Sequence, residues 1–166
     1  MTAPVRAGSR APEFNLPLLG GGYRGLADMV EPGGGVLVFF KEECAASELV
    51  LSRIAPLARA LEREERLFLA VAQESEVTAG AFRARHDIGF AMASDETPFP
   101  ISREYAVEVV PTLFVIDGNG TIAERVEGFV KSEYLALGPA MEQALALGTT
   151  PAVLDRPEEL PEIRPG

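Results

Sequence analysis

The sequence contains one cysteine, one histidine and no tryptophan among its 166 residues. A lone cysteine cannot close an internal disulfide, so no crosslink helps hold the fold. His86 has no second histidine or cysteine near it in sequence, whereas a metal site needs three or four ligands. No metal and no cofactor are therefore expected, and His86 reads as a solvated residue at a helix end. Bases are also scarce, 15 against 25 acids, for a net charge of −10. Nucleic acid and anionic membranes repel such a surface and are excluded as expected partners. No apolar run approaches the roughly 18 residues that span a bilayer. The opening residues Met1 to Gly8 hold no apolar stretch of signal-peptide length, so the expected location is cytoplasmic.

What remains is the composition of a globular α/β chain, 47% apolar and 24% charged. Val36-Leu37-Val38-Phe39-Phe40 is a continuous apolar run, which predicts a strand covered on both faces. The glycines just before it, Gly33-Gly34-Gly35, match no phosphate-binding fingerprint and read as a loop leading into the strand. After Cys44, Val50, Ile54, Leu57 and Leu61 recur at helical spacing, with Pro56 expected to kink the helix. Leu67 to Ala72 predicts a second strand, and a helix follows from about Val77 to His86. A loop around Asp95 to Pro100 leads to a short helix near Ser102 to Tyr105. Asp95 reads as a loop or capping residue. Thr112 to Ile116 and Thr121 to Val126 flank Asp117-Gly118-Asn119-Gly120 and form an antiparallel hairpin. A last helix runs from about Ser132 to Leu147, with Gly148 as its cap.

Strands alternating with helices imply a central mixed sheet flanked by helices. The division is a domain over residues 1–148 and a proline-rich acidic tail over 149–166. That tail carries Pro151, Pro157, Pro161 and Pro165 without periodicity. It is either disordered or an extended arm packed on the body or on a neighbour.

Four motifs occur in an order that resembles the TlpA/ResA-like branch of the thioredoxin superfamily, which borders the AhpC/TSA peroxiredoxins. They are Ala11-Pro12-Glu13-Phe14-Asn15-Leu16-Pro17, the strand Val36–Phe40 leading to Cys44, the loop Val110-Pro111-Thr112, and Leu113 to Asp117 with its glycine turn. The resemblance covers about Gly8 to Leu147. It implies a thioredoxin-like fold, a cis peptide bond before Pro111, and thiol-disulfide exchange at the segment Cys44-Ala45-Ala46-Ser47. Relatives carry a second, resolving cysteine where Ser47 stands. They also carry a buried acid or polar residue six positions before the first cysteine, where Val38 stands here.

The residues themselves support part of this chemistry. A cysteine between strand and helix meets free backbone N–H groups and the helix dipole, both of which favour a thiolate. Glu42 and Glu43 beside it oppose that charge. The alternative is that Cys44 is a small buried hydrophobe. Ser47 cannot form a disulfide; it either donates a hydrogen bond to the Cys44 thiolate or is simply a polar residue of the first helical turn. The resemblance further implies that Val110, Pro111 and Thr112 bind an extended substrate, with Val110 offering its backbone. Three function classes follow. The first is a monothiol thiol-disulfide oxidoreductase acting on protein thiols and disulfides or on glutathione. The second is a redox-inactive binding or scaffold protein. The third, a peroxiredoxin-like peroxidase, needs a threonine three residues before the cysteine, and Lys41 stands there.

Overall fold

Every residue from Gly34 to Phe40 is buried in the computed structural model, which describes residues 5–165. In chain order the elements begin with β1 (Asn15–Pro17), β2 (Tyr23–Gly25), α1 (Leu26–Val30) and β3 (Gly34–Phe40). Next come α2 (Ala45–Arg53), α3 (Ala55–Arg63), β4 (Leu67–Ala72), α4 (Glu76–Arg85), β5 (Met92–Ser94) and α5 (Pro100–Glu104). The chain continues through β6 (Thr112–Asp117), β7 (Ile122–Glu127), β8 (Phe129–Val130), α6 (Lys131–Ala144), a 3-10 turn (Pro157–Glu159) and β9 (Ile163–Arg164).

The central sheet has the order β5-β4-β3-β6-β7. β3 pairs parallel with β4 and antiparallel with β6, and the hairpin β6–β7 closes one edge. The layering follows from the strand period of two. Val36, Val38 and Phe40 face a core built with α2, α3, α4 and α6. Leu37 and Phe39 face the other way, onto Phe14, Leu16, α1 and Tyr105. This is the thioredoxin-like arrangement expected from the sequence. No helix among the described residues is long and apolar enough to cross a membrane.

Several local expectations change. The helical pattern after Cys44 is not one kinked helix but two, with Ile54 capping both ends of the break at φ −92 and ψ 0. Pro56 lies in the first turn of α3, where the missing N–H is one the helix could not use anyway. The glycine loop extends into the sheet. Gly34 and Gly35 are β3 residues, and a side chain at Gly35 would collide with the Leu67 carbonyl of the neighbouring strand. β5 carries no strand pattern in the sequence. His86 is covered rather than solvated: its ring packs 4.5 Å from Phe82, and only 16% of its side chain is exposed.

The proline-rich segment beyond 148 runs back over the helical face. Val153, Leu154 and Leu160 are buried there. The Arg53 guanidinium donates to the Asp155 carbonyl at 3.2 Å, and Asp155 N–H donates back to the Arg53 carbonyl at 2.7 Å. β9 then pairs antiparallel with β8.

Candidate functional site

The site lies where β3 ends. Phe39 is in register with Thr112, so the first residue of antiparallel β6 arrives beside the end of the central strand. The loop before β6 is thereby brought against the start of α2. Its Val110-Pro111 peptide bond is cis. A second cis bond, Thr97-Pro98, lies in the loop before α5.

Cys44 is the N-cap of α2, with extended backbone at φ −126 and ψ 117. Its sulfur has two polar neighbours. The Ser47 backbone N–H donates to Sγ at 3.4 Å, and the thiol donates to the Val110 carbonyl, also at 3.4 Å. One contact is the capping bond that the end of a helix offers. The other ties the thiol to the loop ahead of β6. Cys44 keeps 7% of its surface.

Ser47 meets Cys44 through its amide and not through its hydroxyl. The hydroxyl oxygen accepts from the Lys41 N–H at 3.3 Å, and the residue is fully buried. Thr112 is likewise fully buried, and its hydroxyl donates to the Val109 carbonyl at 2.6 Å. The Pro111 carbonyl is taken by the Gly128 N–H at 2.7 Å. Ahead of the buried Pro111 and Thr112, Val109 is exposed and Val110 half-buried.

The acids next to the thiol point elsewhere. The Glu42 carboxylate lies 3.8 Å from Arg85 on α4, while its amide donates to Glu74. Glu43 is exposed. Val38 is buried within the sheet, so no acid stands at that position. Asp95 is a cap: its carboxylate accepts from the Ile101 and Ser102 N–H groups and from the Ser102 hydroxyl at 3.2, 2.8 and 2.7 Å. No cluster of three metal-ligating side chains occurs among the described residues.

Sequence reading missed Gln73, Phe99 and Arg103, which come together beside Lys41 and Val110 around a small cavity. They belong to three separate segments, and no spacing rule connects them.

Residues 7–125 match the family described as AhpC/TSA. Among solved structures, a candidate thiol:disulfide interchange protein DsbE from Chlorobium tepidum shares 25% identity at a TM-score of 0.76. The similarity covers 85% of this chain and 99% of that one. A candidate protein disulfide isomerase from Bacteroides thetaiotaomicron superposes at a TM-score of 0.78 with 17% identity, over 89% of this chain and 96% of that one. Peroxidoxin BcpB from Mycobacterium tuberculosis superposes at 0.66 with 17% identity, over 86% and 95%. No curated protein matches.

Proposed function

Since the chain belongs to the AhpC/TSA family and has a thioredoxin-like fold, we propose that it is a thiol-disulfide oxidoreductase working through Cys44 alone. The observation that carries this reading is the position of one sulfur between a helix-end amide and the Val110 carbonyl. A structural cysteine needs neither contact.

The cycle has two exchanges. Cys44 loses its thiol proton to solvent, and the thiolate attacks one sulfur of a partner disulfide. A new S–S bond joins Cys44 to that sulfur, the old one breaks, and the second sulfur leaves as a thiolate that takes up a proton. The Ser47 amide, in the first turn of α2, donates to that sulfur. An extended partner lies along Val110, whose N–H makes no hydrogen bond among the described residues and is free to pair. Ser47 has no thiol with which to expel the partner, so a second, external thiol must attack the mixed disulfide and restore Cys44. Partner disulfides and glutathione both fit that scheme, and the need for an external thiol fits a reducing, cytoplasmic setting.

A peroxidase is less favoured, because the exposed Lys41 occupies the position that peroxidases of this kind give to threonine. The test is chemical. Native protein incubated with glutathione disulfide should gain one glutathione on Cys44, retained until a free thiol is added. Iodoacetamide should block that gain under native conditions. If Cys44 reacts only after unfolding, the chain is a redox-silent binding protein and the enzymatic reading is lost.

A further inference from the structure

A cavity of about 230 Å³ opens beside the proposed thiol and takes no part in the cycle above. Lys41, Gln73, Phe99, Arg103, Glu108 and Val110 line it. Val110 is the residue whose carbonyl receives the Cys44 thiol, so the cavity adjoins the position of a partner's disulfide.

Several of its polar side chains have no hydrogen-bond partner among the described residues. Gln73 lines it with only 8% of its surface exposed, and its side-chain amide forms no hydrogen bond with any described residue. With no partner among those residues, that amide is open to a ligand. Lys41 holds its ammonium over the Phe99 ring, 5.6 Å from the centroid. Neither Lys41 nor Arg103 forms an ion pair among the described residues, although acids outnumber bases 25 to 15 in this chain.

We propose that this cavity receives the carboxylate of an acidic residue flanking the disulfide of an extended partner segment. An ammonium, a guanidinium and an amide NH₂ are all donors, and a carboxylate accepts from all three. Glu108 sets the charge. With it, the lining carries one net positive charge, which one carboxylate balances and a doubly charged phosphate exceeds. The proposal rests on the thiol-disulfide reading and adds a partner preference to it.

The experiment uses short cysteine peptides, as mixed disulfides with a neutral thiol, carrying Glu, Gln or Lys beside the cysteine. Glutathione disulfide serves as a free source of carboxylates. Formation of the Cys44 adduct is followed by mass spectrometry. The Glu peptide should react about tenfold faster than its Gln counterpart, the factor one charge-assisted hydrogen bond of ordinary strength supplies. That ratio should fall to about one in Arg103→Gln with Lys41→Gln, and below the native value in Gln73→Leu. Equal rates for Glu and Gln, or a ratio that survives the double substitution, would overturn the proposal. So would an Arg103-dependent advantage confined to glutathione disulfide. A second measurement needs no chemistry at Cys44: fluorescence anisotropy with peptides carrying serine for cysteine should show the same preference. Absence of any adduct while that binding preference holds would sink the oxidoreductase reading and leave the carboxylate pocket standing.

Discussion

At Ser47 the amide and the hydroxyl serve different partners, and this decides what substitution there can do. The amide caps Cys44 Sγ at 3.4 Å whatever the side chain is. The hydroxyl accepts from Lys41 N–H, so removing it costs about 1 kcal/mol of stability without uncapping the sulfur. Ser47→Cys should therefore keep Cys44 in place and add a resolving thiol one helical turn on. Loaded with glutathione disulfide, the variant should form an internal disulfide and release glutathione. The lifetime of its mixed disulfide should shorten about 100-fold or more, because an intramolecular thiol acts at a very high effective concentration. Timed acid quenching and mass spectrometry read this directly; an adduct as durable as the wild type's would mean that Cys44 and position 47 cannot meet. The helix-end position of Cys44 was readable from a strand, a short turn and a helical pattern. Which atom of Ser47 would face the sulfur was not, because spacing places a residue in the first turn without orienting its hydroxyl.

At the scale of elements, strands legible as apolar runs came out close to their expected limits, and the exceptions have physical reasons. The three residues of β5 have no strand signature of their own; pairing with Ala70 to Ala72 of β4 makes them a strand. The spacing of Val50, Ile54, Leu57 and Leu61 runs unbroken across the α2–α3 junction, so periodicity could not separate a kink from a break. The glycines before β3 looked like a loop because close approach between neighbouring strands leaves no mark in one strand's pattern. That approach makes a prediction. A methyl group at Gly35 meets the backbone of Leu67, which is fixed by the ladder and cannot yield. Gly35→Ala should lower unfolding free energy by about 1–3 kcal/mol, the usual penalty of overpacking. Gly80→Ala, in α4 with no atom within 4 Å of the added carbon, should raise it by about 0.5–1 kcal/mol through helix propensity. Urea midpoints of the two variants moving in the same direction would contradict this account.

Over the whole molecule, long-range packing was the least legible level. The tail's composition left two alternatives open, and Arg53, about a hundred positions earlier, is what clasps Asp155 and Glu159. Two tyrosines report on that packing, one on each face of the sheet. Tyr105 donates to the Pro12 carbonyl at 2.7 Å, and Tyr134 donates to the Gly128 carbonyl at 3.0 Å. Burial, and then the nearby carboxylate of Glu13 or Glu133, pushes both phenols far above their ordinary range. In the unfolded chain each ionises near pH 10, roughly the model-peptide value. Below that pH both states hold the proton and the stabilisation is fully present. Above it the unfolded chain releases two protons that the folded one retains, so stability falls as pH rises toward the folded values. Each tyrosine contributes a slope of about 1.4 kcal/mol per pH unit in that window. Denaturant midpoints taken from about pH 8 to 11 should bend downward beyond about 10. Tyr134→Phe should remove about half of the bend due to tyrosine, and Tyr105→Phe the other half, even though each variant starts less stable for want of a hydrogen bond. A bend of equal depth in the Tyr105→Phe, Tyr134→Phe double variant would show that the loss at high pH has another origin, and that neither face of the sheet is sealed as tightly as its packing implies.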